Sequence, residues 1–126
     1  MRNILMVAAG GAAGAVLRHL LGGLVQGRIT AIFPLGTLAV NLLGCLAIGV
    51  ASELAESRGA LDPATRALLV VGVLGGFTTF SAFGNETLNL LRDGERLLAG
   101  GNVAANVILG LAAVWVGRAA AAALWR

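Results

Sequence analysis

The sequence predicts an all-α membrane protein with four transmembrane helices in each subunit. Of the 126 residues, 58% are hydrophobic and 12% are charged, whereas soluble domains carry about 25% charged residues. The mean hydropathy is +0.89. Each of four apolar runs is close to the roughly 20 residues that a helix needs to cross a bilayer. We therefore expect one four-helix transmembrane domain over residues 1–126, with helices at about 4–25, 34–54, 66–92 and 99–122.

The first run begins with a basic residue and is rich in small residues, as a signal peptide is, but three similar runs follow it. It is therefore interpreted as the first transmembrane helix. Both prolines of the chain, Pro34 and Pro63, fall at the start of a run or just before one. Asp62 can cap a helix that has Pro63 at its first position, and Gly94 can end the third helix.

Glycines at helical spacing predict close contacts between helices. Gly10 and Gly14 in the first run, and Gly72 and Gly76 in the third, have the GxxxG spacing that lets the backbones of membrane helices approach each other. Because the chain contains 19 glycines, some such pairs arise by chance.

The basic residues are nine arginines, with no lysine, against six acids. They lie mostly between the apolar runs, so they are interpreted as topology signals and not as a nucleic-acid-binding patch. The termini and the second loop hold five arginines, and the other side of the membrane holds four. Because an excess of basic residues sets the orientation, this near balance favours insertion in both orientations and permits an antiparallel homodimer; a weak bias that fixes one orientation is the alternative. The five are Arg2, Arg58, Arg66, Arg118 and Arg126, and the four are Arg18, Arg28, Arg92 and Arg96.

Asparagines lie near the middle of the second and fourth runs. Asn41 follows Thr37 by one helical turn, and Asn106 follows Asn102 by one turn, so each pair shares a helix face. Polar side chains are costly in hydrocarbon and face protein or a water-filled path. These residues either line a conduction path or join two helices by hydrogen bonds, and both interpretations stay open.

The third run contains the segment GGFTTFSAFGNE, residues 75–86. Gly75, Gly76 and the two threonines weaken helix continuity here. Backbone that leaves the helix at this depth must be buried in protein or line a cavity, and its free carbonyls, amides and hydroxyls can meet ions. We therefore expect a broken third helix that forms part of an ion site within the membrane.

Three phenylalanines of this segment, Phe77, Phe80 and Phe83, have the spacing of a stripe on one helix face. Core packing is the ordinary role of such a stripe. The edge of an aromatic ring carries positive potential, however, so ring edges can hold a small anion without the strong binding of a fixed cation, and conduction needs such weak sites. Ser81 adds a donor. Glu86 is unexpected beside an anion path; it marks a vestibule, is protonated or bonds a hydroxyl.

Arg18 and His19 end the first run. An arginine at this depth either extends to the interface or bonds free carbonyl groups, so Arg18 is expected to be a structural anchor. No second histidine is present in the chain to complete a metal site with His19. Cys45, the only cysteine, excludes an intramolecular disulfide.

The segment GGFTTFSAFGNE resembles the GG-x-TTFSTF-x-x-E signature of the Fluc fluoride channels, also called CrcB proteins. Three further stretches agree with this family: GAVLR at 14–18, GTLAVNLLG at 36–44 and NVILGL at 106–111. The resemblance spans all four predicted helices. Because TTFS-x-F beside a separate GTL-x-VN is specific, the chain is identified as a member of this family.

The resemblance implies a dual-topology, antiparallel homodimer of four-helix subunits in the bacterial inner membrane. It implies two fluoride pores, each built from both subunits, that export fluoride passively and confer fluoride resistance. The partners are then fluoride, a second copy of the chain and the lipid bilayer, with no nucleic acid and no nucleotide. The third helix is broken in this family, and main-chain carbonyls bind a structural sodium ion (Na+) at the dimer centre. Gly75 and Thr78 of both subunits occupy those positions.

The resemblance also assigns the pore. Phe80 and Phe83 match the phenylalanines whose ring edges line it, Arg18 matches a structural arginine, and Glu86 matches the glutamate of the signature. The other residues expected along the fluoride path carry hydroxyl or amide groups: Thr37, Asn41, Thr79, Ser81 and Asn106.

Two positions depart from the family pattern. Ala82 replaces a threonine of the signature, and Asn102 stands where a tyrosine is often found. Neither change removes a phenyl ring or a residue of the sodium site. These two changes therefore concern the detailed path of fluoride and the conduction rate, not the expected channel activity.

Three other functions compete with a channel. A small multidrug-type proton-coupled exporter is also a short four-span protein, but it relies on a carboxylate in the first span, and residues 4–25 contain none. A non-transporting scaffold uses its asparagines only to join helices. An enzyme is least favoured, because the sequence shows no nucleophile–base set and no metal cluster.

Overall fold

The computed structural model describes residues 1–59 and 61–124. All regular structure in these ranges is helical. Arg126, which enters the arginine count, lies outside the described residues, and so does the side chain of Arg58. The helices are α1 (Arg2–Gly27), α2 (Leu35–Arg58), α3 (63–77), α4 (Phe80–Arg92) and α5 (Arg96–Leu124).

Four stretches are long and apolar enough to cross a membrane: Arg2–Gly27, Leu35–Glu56, Pro63–Arg92 and Arg96–Leu124. The prediction of four membrane-spanning helices is therefore confirmed by length and composition. The third stretch contains both α3 and α4. It begins at Pro63, earlier than the predicted residue 66, because the apolar run is preceded by a capped polar turn.

Asp62 provides that cap. Its Oδ1 accepts hydrogen bonds from the amides of Ala64 at 2.8 Å and Thr65 at 2.9 Å, which confirms the predicted N-cap. The hydrogen bonds from Thr65 and Ala64 lower the pKa of Asp62, since they stabilise its charged form. Pro63 follows as the first helical residue, where its missing N–H has no consequence.

Gly94 ends α4 as predicted. It has a φ of 83°, in the left-handed region that favours glycine. The amide of Gly94 donates to the carbonyl of Leu91 at 3.2 Å, and the amide of Glu95 donates to that of Leu90 at 2.8 Å. These two bonds satisfy carbonyls that the end of the helix leaves free.

Helix α1 packs along α3, and the predicted glycine contacts between them are confirmed. A Cβ on Gly10 or Gly72 would collide with the backbone of the other helix, and one on Gly76 would collide with the backbone of Gly11. A second such contact joins α2 to α5, where Gly49 faces the backbone of Val114. Backbones this close leave no room for a methyl group, so these glycines set the helix separations.

The chain leaves the helical conformation at two residues inside the third membrane-spanning stretch. Thr78 has φ −80° and ψ 159°, and Thr79 has φ −151° and ψ 115°, which are extended values. Helix α3 therefore ends at Phe77, and α4 begins at Phe80. We call Thr78–Thr79 the interruption.

Large apolar side chains are exposed along the helices; Leu97 is 88% and Trp115 is 71% exposed. Among the residues that the structure describes, deep burial of side chains is confined to a few positions, including Val40 and Leu90, and to one polar residue, Asn102. A surface of this kind suits a chain whose exterior meets lipid or another subunit.

Candidate functional site

A cavity of about 360 Å³ opens beside the interruption. Its wall combines residues of α2, of α3 and α4 on both sides of the interruption, and of α5; no charged side chain lines it among the described residues. Five of the seven residues expected along the fluoride path meet here: Asn41, Thr79, Phe80, Phe83 and Asn106.

Phe80 and Phe83 stand one turn apart at the start of α4. Their ring centroids are 5.3 Å apart, and the ring planes are tilted by 59°, an arrangement that aromatic pairs prefer because a ring edge is positive and a ring face negative. Phe83 is 8% exposed, whereas Phe80 is 82% exposed. The three rings do not form the single stripe that their spacing would give on an unbroken helix. Phe77 belongs to α3, and the interruption separates it from the other two.

The backbone of the interruption is bonded by a side chain of α2. Asn41 Nδ2 donates to the Thr79 carbonyl at 3.1 Å, and the Thr79 amide donates to Asn41 Oδ1 at 2.9 Å. One asparagine thus satisfies both polar groups of a residue that has left the helix, as membrane-buried backbone requires. A continuous helix would have directed the Thr79 amide to the carbonyl of Gly75.

The side chain of Thr79 starts the next helix. Its Oγ1 accepts a hydrogen bond from the amide of Ala82 at 3.2 Å, which is the arrangement of an N-cap. The same oxygen lies 3.3 Å from the Oγ of Ser81, which is exposed. Two hydroxyls expected along the path are therefore adjacent.

The hydrogen bonds of Asn41 continue to two asparagines of α5. Asn41 Nδ2 also donates to Asn106 Oδ1 at 2.9 Å, and Asn106 Nδ2 donates to Asn102 Oδ1 at 2.9 Å. Asn102 Nδ2 donates in turn to Thr87 Oγ1 on α4, also at 2.9 Å. Both hydrogens of the Asn41 amide are bonded within the protein, so this amide joins helices, one of the two roles that the sequence left open.

Thr37 and Glu86 form a second link between α2 and α4. Thr37 Oγ1 donates to Glu86 Oε1 at 2.6 Å. Glu86 Oε2 is buried, with no hydrogen-bond partner among the described residues. Of the three interpretations of Glu86, bonding to a hydroxyl is the one that the structure shows.

Arg18 reaches the interruption from α1. Its Nη1 donates to the Thr78 carbonyl at 3.3 Å, so of the two arrangements that the sequence left open for this guanidinium, the structure shows the bond to a carbonyl. Arg18 also lines a second cavity, of about 650 Å³, together with His19, Thr37 and Ser81. Thr79 borders both cavities, which places the interruption between them.

Residues of the segment GGFTTFSAFGNE thus line the cavities beside the interruption, in a chain with four helical stretches that are long and apolar enough to span a membrane. The sequence profile described as CrcB-like protein, Camphor Resistance (CrcB), matches residues 5–118. The chain belongs to the CrcB family.

Similar proteins of the CrcB family cover nearly the whole chain. One from Opitutus terrae is 48% identical over 126 residues, with 98% of this chain and 96% of that protein covered. One from Methylobacillus flagellatus is 45% identical over 118 residues, with 93% and 92% covered. One from Rhizobium etli is 45% identical over 124 residues, with 98% and 99% covered. Each carries the name Fluoride-specific ion channel FluC.

Sequence reasoning missed the contact between two residues of this CrcB site, Thr87 and Asn102. Thr87 received no role, although its hydroxyl accepts from Asn102. Asn102 was noted only as one turn before Asn106 and as a departure from the family. Its spacing from Asn106 was the available signal, but Thr87 lies on another helix, and no periodicity links the two positions.

Proposed function

We propose that this protein is a fluoride-selective channel through which fluoride leaves the bacterial cytoplasm passively. The observation that carries the proposal is the interruption, where Phe80, Phe83 and neutral polar groups surround a cavity in a chain whose relatives are named fluoride-specific channels. Export of this kind lowers the toxicity of cytoplasmic fluoride.

The chemistry of the site suits a small, strongly hydrated anion. A selective path must replace water with several donors, none of which binds so strongly that the ion stays. Ring edges of Phe80 and Phe83 and the hydroxyls of Thr79 and Ser81 are donors of this strength. The absence of charged side chains among the described lining residues of the first cavity fits the same requirement. A narrow path of this kind excludes chloride because chloride is larger.

A second copy of the chain, inserted antiparallel, completes the pores in this proposal. Phe80 is 82% exposed, and Ser81 and Asn85 are exposed within a membrane-spanning stretch. Polar side chains are costly against lipid, so a protein partner or a water-filled path is the favourable neighbour of this face. The near balance of arginines supports insertion in both orientations. Each dimer then contains two pores, and both subunits contribute to each.

The proposed dimer holds a structural Na+ on main-chain carbonyls of Gly75 and Thr78 from both subunits. The residues fit such an ion in kind, because Na+, like other hard cations, prefers oxygen ligands, and both residues border the first cavity. The Thr78 carbonyl already accepts a hydrogen bond from Arg18, so the ion would use its second lone pair. The Thr79 amide bonds Asn41 and not Gly75. A Cβ on Gly75 would meet no atom closer than 3.8 Å, so the backbone is accessible here. When bound, the ion neutralises carbonyl dipoles where the subunits meet.

Passive export needs no nucleotide. Hydrogen fluoride enters a cell as a neutral acid and ionises in the neutral cytoplasm. A negative membrane potential drives the anion outward by about 2.3 kcal/mol per charge per 100 mV. An open path in the inner membrane is therefore sufficient for resistance to fluoride.

Purified protein in liposomes tests the proposal. Liposomes loaded with potassium fluoride, once a potassium ionophore removes the charge imbalance, are expected to release fluoride rapidly, as measured with a fluoride-selective electrode. Matched liposomes loaded with potassium chloride are expected to retain it. Equal release of both anions, or release no faster than from protein-free liposomes, contradicts the proposed function.

A further inference from the structure

Asn102 is the most deeply buried polar side chain among the described residues, with 1% exposure. It borders neither of the two cavities at the interruption, and the function proposed above gives it no role. A buried amide is favourable only when its donors and acceptor are bonded. Each polar atom of the buried Asn102 amide therefore needs a hydrogen-bond partner within the protein.

The orientation of the Asn102 amide is fixed from α4. An asparagine can turn either its oxygen or its nitrogen toward a neighbour, and the partners decide which. Thr87 has a single hydroxyl proton, and this proton is donated to the Phe83 carbonyl at 2.8 Å. Thr87 Oγ1 can therefore only accept, so it receives the Nδ2 of Asn102. The Oδ1 of Asn102 consequently faces Asn106.

The hydrogen-bond partners also determine how the Asn106 and Asn41 amides are oriented. Asn106 Nδ2 meets two acceptors, Asn102 Oδ1 at 2.9 Å and the Asn102 carbonyl at 3.0 Å. This leaves Asn106 Oδ1 to accept from Asn41. Asn41 then presents Nδ2 to the Thr79 carbonyl and Oδ1 to the Thr79 amide, which is the only orientation that satisfies both. This series of hydrogen bonds ends on the main-chain carbonyl of Phe83 on one side and on the main-chain amide and carbonyl of Thr79 on the other.

From this geometry we propose that Asn102 is a positioning residue: its side-chain amide links Thr87 to Asn106, holds Asn106 Oδ1 against Asn41 and thereby supports the extended conformation of Thr79. The network is attached to α4 at Phe83 through Thr87 and to the interruption at Thr79 through Asn41. These two points enclose the turn that carries Phe80 and Phe83. Replacing Asn102 therefore disturbs the ring pair from a distance, although Asn102 itself does not line the cavity.

A substitution of similar size tests the proposal. Asn102→Leu removes the amide and keeps the branched shape and the number of heavy atoms, although the two methyl groups are somewhat larger. Thr87→Val removes the hydroxyl that accepts the hydrogen bond of Asn102 and is close to isosteric. This variant therefore tests the proposal if Asn102→Leu fails to fold. Glu95→Gln, which alters an exposed residue between the third and fourth membrane-spanning stretches, is the control. All four proteins, including the unmodified chain, are compared after size-exclusion chromatography.

The first measurement is hydrogen–deuterium exchange at the Thr79 amide, followed in overlapping peptides by mass spectrometry. Exchange up to about tenfold faster in Asn102→Leu is expected, the order of magnitude that the loss of one net hydrogen bond gives, with a smaller increase in Thr87→Val and none in Glu95→Gln. A side chain that only fills space would accelerate exchange around 99–106 and leave Thr79 protected. That pattern overturns the proposal.

The second measurement is fluoride release from liposomes, and this part of the inference rests on the proposed function. Release up to about tenfold slower is expected for Asn102→Leu, the factor that one net hydrogen bond supplies, with Glu95→Gln unchanged. Normal release from the leucine variant overturns the positioning role. If the unmodified protein releases no fluoride, the proposed function fails, and the exchange at Thr79 still decides whether Asn102 positions the interruption.

Discussion

Asn41 exchanges two hydrogen bonds with the backbone of Thr79, one to its carbonyl at 3.1 Å and one from its amide at 2.9 Å. The two residues are 38 positions apart. A single side chain of α2 thus replaces the hydrogen bonds that Thr79 loses when the third membrane-spanning stretch leaves the helix. Such a break is stable inside a membrane only with a partner of this kind.

Replacing Asn41 should therefore damage both the fold and the flux. Asn41→Leu leaves the amide and carbonyl of Thr79 without their partners, and each such group costs about 1–3 kcal/mol. We expect a lower unfolding temperature in detergent, measured by circular dichroism, and strongly reduced fluoride release. Glu95→Gln, at an exposed residue between two membrane-spanning stretches, is the control and should match the unmodified chain. Normal stability in Asn41→Leu would show that the interruption does not depend on this side chain.

The two phenylalanines should respond differently to the same substitution. Phe80→Ile and Phe83→Ile both remove a ring edge from the cavity, so both should slow fluoride release strongly while the dimer stays intact. Only Phe83 is buried, so only Phe83→Ile should also lower stability, by about 1–2 kcal/mol. Trp115→Ile, at an exposed aromatic position of α5, is the control. Unchanged release in both phenylalanine variants argues against coordination by ring edges.

The contact between α1 and α3 should not tolerate a methyl group. A Cβ on Gly14 would collide with the carbonyl of Val73 and lie 2.8 Å from the amide of Phe77, whereas a Cβ on Gly23 meets nothing within 4 Å. Gly14→Ala should lower stability by about 1–3 kcal/mol because the helices must separate. Gly23→Ala should not. Equal melting temperatures for the two variants would refute this account of the packing.

Removal of sodium should weaken the assembled protein if carbonyls of Gly75 and Thr78 hold this ion. We expect a lower unfolding temperature after exchange into a buffer with N-methylglucamine as the only cation, restored by adding sodium chloride. N-methylglucamine chloride at equal ionic strength is the control. An unfolding temperature that does not depend on sodium would contradict the proposed ion.

The near balance of arginines predicts insertion in both orientations. Paired C-terminal fusions, one reporter active only in the cytoplasm and the other only outside it, should both give signal. Adding two arginines to the loop between α1 and α2 should shift the distribution to one orientation, since basic loops stay inside. Signal from the cytoplasmic reporter alone would reject dual insertion.

The sequence alone determined the features that depend on local spacing. Apolar runs of membrane-spanning length defined four spans, Asp62 before Pro63 defined a helix start, and GxxxG spacing marked glycines of the first and third runs for close helix contacts. Each of these follows from residues that are neighbours along the chain or on one helix face, so a periodicity carries the information.

The tertiary structure alone decided which polar groups meet and which rings are covered. Nothing in the spacing linked Asn102 to Thr87 or Asn41 to Thr79, because the partners lie on different helices and helix packing sets their distance. The orientation of an amide also depends on the acceptors that surround it, and these come from three separate helices here. Phe80 and Phe83 are alike in the sequence, yet one is exposed and the other buried, since only one of them faces the rest of the chain.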